Sequence, residues 1–242
     1  MLIPWRRWTS VEMDGQFFPG QAIQFEGDGI PLTEPVDGSF ITSALNAPGG
    51  GATTHTFTSR AIGAVPPAGK TRLVVVTVDY INTGGTAGIS GVTIGGVAAT
   101  LVKQQNSGGT PGCGIYALAV PSGTTATIVV TTATTAFCVI GVYRVVGANS
   151  TQLDTQSNTA DPINITVNVK AGGYVIGTAQ NRNRGTTTWT NLSENFDTDN
   201  TSNDYASGAD AAPSADGTLA ITAVGAIAGN EMAGVAVSYQ PA

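Results

Sequence analysis

Short runs of apolar and β-branched residues follow one another along most of the chain. From about residue 54 onward, Val, Ile and Thr are interrupted by Gly, Pro and Asn, and no stretch shows a helical period. Residues 72–80 (RLVVVTVDY) are apolar almost throughout, which is typical of a strand in the middle of a sheet. The pattern predicts strands at residues 72–80, 92–94, 97–102, 113–120, 125–132, 137–146, 163–169, 173–180, 186–192, 205–208, 219–223 and 232–239.

The spacing of these strands predicts an all-β fold. Many short strands with turn residues between them are typical of an antiparallel two-sheet β-sandwich, and we expect a jelly-roll-like example over residues 56–242. Gly95 and Gly96 separate two of the strands and predict a tight hairpin, because both positions tolerate positive φ. No internal repeat is visible, so one large sandwich is preferred to two small ones.

Residues 1–55 differ from the rest of the chain. Aromatic residues crowd the first 40 positions, while Pro and Gly interrupt them too often for one long strand or helix. A merely floppy tail would be poor in aromatic rings, because unburied rings do not offset the entropy lost on ordering. We therefore predict an extended N-terminal arm over residues 1–55, hinged at the Gly-rich residues 47–51, which docks on its own domain or on a neighbour; the alternative is a segment that closes one end of its own sandwich. The predicted partner-binding residues are Trp5, Arg6, Arg7, Trp8, Phe17, Phe18 and Phe25.

Composition narrows the classes of function. The chain has 242 residues, a formal net charge of −6 and only 11% charged residues. An acidic chain is poorly suited to bind phosphates, so we expect no nucleic-acid partner. No signal-peptide pattern follows Met1 and no apolar run reaches membrane-spanning length, so we expect a protein that is soluble when made and has no membrane partner. Cys113 and Cys138 lie in strand-like segments that could pair, and two free, buried thiols are favoured over a disulfide.

Residues that could carry catalysis or hold a metal ion are sparse. His55 is the only histidine, and without a Gly-x-Ser-x-Gly motif it is interpreted as a surface or hinge residue. Residues 64–71 (AVPPAGKT) imitate a phosphate-binding loop, but the two prolines lack N–H donors and a strand follows, so they predict a turn. The acidic residues 194–204 offer oxygen ligands for calcium without the EF-hand order, and a solvated loop is favoured. We therefore expect no catalytic residue, no cofactor and no metal site.

One loop combines residue types by which proteins bind sugars or other proteins. Asn181, Arg182, Asn183 and Arg184 precede Trp189, and these residues would together present planar amides, guanidinium groups and an indole. They form the predicted ligand-binding site. The alternative is a loop beside a tryptophan of the core.

Several of the predicted strands and turns resemble those of a known group of proteins. The segments are RLVVV at residues 72–76, ISGVTIGGVAAT at 89–100, IY at 115–116, VPSGTTATIVV at 120–130 and VYRVV at 142–146. They resemble a loose group of Gly/Thr-rich β-sandwich virion structural proteins of tailed bacteriophages, which serve as head decorations or fibres, or as tail or adsorption proteins. The resemblance covers about residues 56–150 well, lies in turns and core strands, and carries over no catalytic residue.

These features lead to an expectation of function. We expect a non-enzymatic structural component of a tailed-phage particle, found in the virion after assembly in the host cytoplasm. The arm would bind other virion proteins, such as capsid, portal, collar or tail subunits, and leave the sandwich exposed. A homo-oligomer is expected, because closed assembly would cover the rings and any open sheet edge. The alternative, from a different class, is a carbohydrate-binding module that recognises a glycan of the host surface.

Overall fold

The structure is a computed structural model that describes residues 33–48, 51–82, 88–108, 111–182, 185–199, 204–227 and 231–242. Two short strands, β1 (Glu12–Met13) and β2 (Gln16–Phe17), are described in addition and pair antiparallel. The chain divides into two compact units, Met1–Leu32 and Thr33–Ala242. The sheets described below all belong to the second unit.

Every regular element among the described residues is a β-strand, which confirms the all-β prediction. All pairings between these strands are antiparallel. The described part of the chain holds no helix able to cross a membrane. The strands of the second unit are β3 (Asp37–Asn46), β4 (Ala52–Ala61), β5 (Arg72–Asn82), β6 (Ile89–Ile94), β7 (Val97–Ala98), β8 (Thr100–Asn106), β9 (Pro111–Ala119), β10 (Thr125–Val146), β11 (Asp154–Asn158), β12 (Ile163–Val169), β13 (Tyr174–Asn181), β14 (Thr187–Thr190), β15 (Ser193–Asp199), β16 (Tyr205–Ala211), β17 (Gly217–Gly225) and β18 (Met232–Tyr239).

The long strand β10 organises the largest sheet. It runs for 22 residues and pairs with β4 and β6 along its first half, and with β3 and β5 along its second half. The partners change at Thr135, which lies opposite Ala52 of β4 and Asn82 of β5. The eight-stranded sheet, with the order β7-β6-β10-β5-β9-β8 and β3 and β4 beside β10, curls around an apolar core and is nearly barrel-shaped.

Strand β5 shows how the sheets are layered. Val74, Val76 and Val78 pack inside the curled sheet, whereas Leu73 and Val75 pack against a second sheet. This second sheet has five strands in the order β11-β18-β13-β16-β15, and a three-stranded sheet of order β12-β17-β14 covers its other face. Strands β13 and β18 are consequently buried along their whole length.

The number of sheets differs from the prediction. A curled, a five-stranded and a three-stranded sheet stand where two sheets were expected. A run such as residues 173–180 is apolar because layers cover both faces of its sheet, and an apolar run alone does not report how many layers surround it. Several individual strands agree with the prediction, and β12 and β18 match the predicted residues. The predicted hairpin is also present between β6 and β7, where Gly95 and Gly96 form the turn with φ of 60° and 82°.

Part of the predicted arm lies in the curled sheet. Strands β3 and β4 both pair with β10, so the predicted boundary at residue 55 lies inside a strand. Phe40, one of the aromatic residues near the start of the chain, has its ring centroid 5.4 Å from that of Tyr143 and 5.7 Å from that of Phe196. The second unit therefore covers this ring itself. Charge and aromatic content, on which the boundary was placed, do not report strand pairing.

The two cysteines are free and buried, which agrees with the favoured interpretation. Cys113 lies opposite Asp79 and Cys138 lies opposite Tyr80, on the two strands that flank β5. Cys113 packs between the curled and the five-stranded sheet, whereas Cys138 packs inside the curled sheet. A disulfide is excluded because the two thiols lie on opposite faces of one sheet.

Candidate functional site

The seven predicted arm residues, Trp5, Arg6, Arg7, Trp8, Phe17, Phe18 and Phe25, lie outside the residues whose side chains the structure describes. The same holds for Asn183 and Arg184 of the predicted ligand site. The roles assigned to these residues stay predictions. The other three residues of the ligand site, Asn181, Arg182 and Trp189, are described.

The side chains of Asn181 and Arg182, at the end of β13, differ in exposure. Asn181 is fully buried, and its Nδ2 donates to the carbonyl of Gly185 at 2.9 Å and to Oγ1 of Thr187 at 3.0 Å. Its amide thus holds the turn between β13 and β14 and does not face a ligand. Arg182 is exposed and forms an ion pair with Glu231 at 3.5 Å. Only Arg182 of this pair lies at the surface as the sequence predicts.

Trp189 is half-buried and packs against the core between the three- and five-stranded sheets, which is close to the alternative considered for this loop. Its ring lies over Gly177, where a Cβ would come within 3.0 Å of Cζ3. Its Nε1 donates to Oγ of Ser207 at 2.8 Å, on the five-stranded sheet. The indole therefore joins the three-stranded sheet to the five-stranded sheet, and its polar atom has an internal partner.

Two carboxylates connect the edges of these same sheets. Asp154 on β11 accepts bonds at Oδ2 from the backbone N and from Nδ2 of Asn168 on β12, both at 2.9 Å. Asp197 on β15 accepts a bond at Oδ2 from the backbone N of Thr187 on β14 at 2.7 Å. All four strands are sheet edges, so the carboxylates occupy backbone N–H groups that are otherwise open to pairing.

The two edge carboxylates differ in their affinity for protons. Burial, with a smaller contribution from nearby Glu194, raises the pKa of Asp197 to about 7 against the opposing bond from Thr187. Burial also acts to raise the pKa of Asp154, but its hydrogen bonds outweigh burial and leave that pKa below the ordinary value. Asp197 is therefore the carboxylate that titrates near neutral pH.

The acidic stretch around Asp197 is not the solvated loop that was favoured. Residues 194–199 lie in β15, paired with β16, because their alternation places Phe196 in the core. The described residues contain no group of three or more His, Cys, Asp or Glu side chains that could hold a metal ion. The calcium alternative thus finds no ligand cluster in the part of the stretch that is described.

A pocket opens at the end of the curled sheet. Its volume is about 270 Å³, and its walls are mainly apolar; among them are Ile62, Ile94, Val97, Leu118, Val120 and Pro121. Val97 is 58% exposed at its rim. Because none of its lining residues is ionisable, the pocket can shelter an apolar group from water but offers neither an acid nor a base.

Arg72 fixes the chain beside this pocket. The residue is fully buried at the start of β5, and all its hydrogen bonds go to backbone carbonyls. Nε donates to Val120 at 2.9 Å, Nη1 to Gly63 at 2.8 Å and Ala64 at 2.9 Å, and Nη2 to Ser122 and Gly123 at 2.9 Å each. One guanidinium group therefore ties the segment after β4 to the segment after β9, which forms part of the pocket wall.

The structure buries His55, which the sequence had suggested to be a surface or hinge residue. Its Nδ1 lies 2.9 Å from Oδ1 of Asn46 on β3, and its Nε2 lies 2.6 Å from Oγ1 of Thr135 on β10. The order hydroxyl, imidazole, amide is that of a nucleophile, base and orienting group. Thr135 is itself fully buried, however, so the group acts here as an internal joint between three strands.

Asp79 is the buried carboxyl of the layer between the curled and the five-stranded sheets. Both of its oxygens lie within hydrogen-bond distance of Oγ1 of Thr178, at 2.9 and 2.7 Å, and the same Oγ1 lies 3.2 Å from the carbonyl of Ser207. Burial raises the pKa of Asp79 well above its usual range, against the bond from Thr178. A protonated carboxyl completes the chain, because it donates to Thr178 while Thr178 donates to Ser207.

Sequence reasoning missed the roles of Arg72, Asp79 and His55. A signal existed for the first two, because they are the two charged residues of the otherwise largely apolar strand β5, and such residues must find internal partners when the strand is buried. His55 stands among threonines and carries no such signal. No protein-family model matches the chain, and no curated protein matches its sequence.

Proposed function

We propose that this protein is a non-enzymatic structural component of a tailed-phage particle. In this proposal residues 1–32 attach the protein to neighbouring virion subunits, and the β-rich unit Thr33–Ala242 is the exposed, sandwich-like module of a head decoration, fibre, tail or adsorption protein. Two observations support the proposal that the protein joins a particle as a homo-oligomer. One is the sequence resemblance, and the other is the N-terminal segment described next.

One observation carries the proposal: the chain divides at Leu32, and the first unit holds Trp5, Trp8, Phe17 and Phe25 in a short stretch. Aromatic rings contribute to stability or to binding mainly when they are covered, and each can bury on the order of 150–250 Å². A small unit with this many rings is therefore well suited to bind a partner surface. Rings of this kind dominate the binding free energy of protein interfaces.

The chemistry of the second unit is compatible with a structural role. Arg72 directs its donors to backbone carbonyls, and Arg144 donates to the carbonyl of Ala64 at 3.0 Å and pairs with Asp37 at 2.6 Å. These charged groups serve to hold loops and strands together. The pocket at the end of the curled sheet offers an apolar wall without ionisable groups.

The test is incorporation of the full-length protein into particles. Virions of the phage or prophage that encodes the chain are purified and assayed by mass spectrometry and immunogold labelling. We expect the wild type to be present and the double variant Trp5→Ser/Trp8→Ser to be depleted about tenfold or more, since each anchoring ring is worth ~1–2 kcal/mol or more. Val224→Ser, which alters a side chain 39% exposed on the second unit, is the matched control.

Two results would overturn the proposal. The first is absence of the wild-type protein from purified particles. The second is incorporation of the tryptophan variant at the wild-type level. The carbohydrate-binding alternative has no specific observation in its favour among the described residues, because Asn181 and Trp189 bind internal partners.

A further inference from the structure

The bend of β10 is the point where the curled sheet changes its strand partners. Register shifts occur on both sides of Thr135, between Thr131 and Thr135 in the pairing with β4 and between Thr135 and Phe137 in the pairing with β5. His55 of β4 lies fully buried at this point and binds Thr135 and Asn46. The imidazole thus connects the end of β3, the middle of β4 and the bend of β10.

The partners of the ring determine where its proton lies. Oδ1 of Asn46 can only accept, so Nδ1 of His55 carries the hydrogen and donates to it at 2.9 Å. Nε2 is then bare and accepts the hydroxyl hydrogen of Thr135 at 2.6 Å. The neutral ring satisfies both of its nitrogens, and each bond holds a different strand.

Protonation of the ring disrupts this arrangement. A hydrogen on Nε2 turns that nitrogen into a donor, so the hydroxyl of Thr135 must turn away from it. The acceptors open to that hydroxyl are the carbonyl of Ala52 and Oγ1 of Thr132, both at 3.5 Å, which is the far limit of a hydrogen bond. The positive charge would be enclosed by an amide, hydroxyls and a carbonyl.

The ionisable groups of the surrounding strands do not compensate this charge. Asp37 of β3 pairs with Arg144 of β10 at the far end of both strands. Asp79 of β5 binds Thr178 in the layer between two sheets. Arg60 of β4 donates to the carbonyl of Thr58 and would only add to the repulsion. Burial lowers the pKa of His55 from its ordinary value, and it outweighs a hydrogen bond with the backbone of Ala52 that acts in the opposite direction.

We propose that His55 makes the bend of β10 an acid-sensitive joint, which is closed while the imidazole is neutral and opens locally when the imidazole takes up a proton. Opening separates β3 and β4 from β10 around Thr135 and leaves the five- and three-stranded sheets intact, because the core between these two sheets contains no residue of the curled sheet. For every unit by which the pKa of the closed state lies below that of the open state, acid favours opening about tenfold.

The experiment follows the ring and the backbone of the full-length protein together. The chain has one histidine, so a single imidazole resonance reports its titration by NMR without ambiguity. Hydrogen exchange measured between about pH 7 and pH 5 then reports opening. We expect the imidazole to titrate below 6.5, and we expect protection at residues 44–46, 52–56 and 130–135 to fall about tenfold or more beyond the intrinsic pH effect on exchange, while β13 and β18 keep theirs.

The variant His55→Gln removes the titratable group but keeps a hydrogen-bonding side chain at this position. Glutamine keeps an amide donor and acceptor but takes up no proton in this range, so its exchange protection at the bend is expected to be independent of pH. The proposal is overturned if the wild-type imidazole titrates at or above 6.5, or if the wild-type bend keeps its protection at pH 5. If His55→Gln does not fold, the wild-type titration and exchange decide alone. If the variant folds and loses protection in acid as the wild type does, the proposal is also wrong.

Discussion

Replacing Arg72 by methionine should release the two chain segments that it holds together. The side chain is fully buried and donates to five backbone carbonyls, two after β4 and three after β9. Methionine has a similar length and no donor, so all five bonds are lost while most of the packing remains. The segments that carry the carbonyls lie near the surface, and part of them can bind water instead.

The magnitude follows from these bonds. At a net value of about 1 kcal/mol each, five bonds give about 5 kcal/mol, and hydration of the freed carbonyls reduces this to about 3–5 kcal/mol. Such a loss is a large share of the ~5–15 kcal/mol by which a domain is normally stable. Lysine has three donors in place of five, so Arg72→Lys should cost about half as much as Arg72→Met.

The assay is urea unfolding, monitored by far-UV circular dichroism and Trp fluorescence. An unchanged slope m, the dependence of the unfolding free energy on urea concentration, checks that unfolding stays two-state. Arg60→Met is the matched control, because Arg60 donates one bond to Thr58 at the surface, and its effect should stay within about 0.5 kcal/mol. If Arg72→Met unfolds within about 1 kcal/mol of the wild type, the guanidinium does not hold these segments and the reasoning fails.

Three further predictions concern the other buried groups. Asp197→Asn should flatten the pH dependence of stability, as urea midpoints would show. The carboxyl of Asp197 keeps its proton up to about pH 7 in the folded state but loses it near pH 3.8 in the unfolded state. The wild type therefore loses stability as the pH rises through this range, and the variant does not. Gly208→Ala should destabilise by about 1–3 kcal/mol, because its Cβ would collide with the ring of Phe196. Trp189→Phe should lower the free energy of unfolding by about 1–2 kcal/mol through loss of the bond to Ser207. Chemical unfolding measures this variant and Gly208→Ala.

Each of these has a result that contradicts it. An Asp197→Asn variant whose urea midpoint varies with pH as the wild type does would show that another group titrates. Gly91→Ala is the control for Gly208→Ala, because a Cβ at Gly91 would meet nothing within 4 Å, and equal losses at both sites would refute the steric argument. A Trp189→Phe variant that is as stable as the wild type but no longer binds host polysaccharide would favour a ligand-binding role for the indole.

Many of the strands could be predicted from the order of residues, although β3, β11 and β15 were not predicted. Alternation of buried and exposed positions in β12, the apolar run of β18 and the glycine pair between β6 and β7 are all local properties, because a strand's period and a turn's backbone angles depend on neighbouring residues. The same local character explains why the all-β class was predicted correctly.

The number of layers and the internal polar sites were decided by tertiary structure alone. Residues 125–132 and 137–146 read as two strands, yet they form one strand that exchanges partners at Thr135, since pairing depends on segments far away along the chain. The joint at His55 brings together Asn46 and Thr135, 89 positions apart, and the bond between Asp79 and Thr178 spans 99 positions. Such contacts cannot be predicted from neighbouring residues, because the free energy that stabilises them comes from burial between strands that are distant in the sequence.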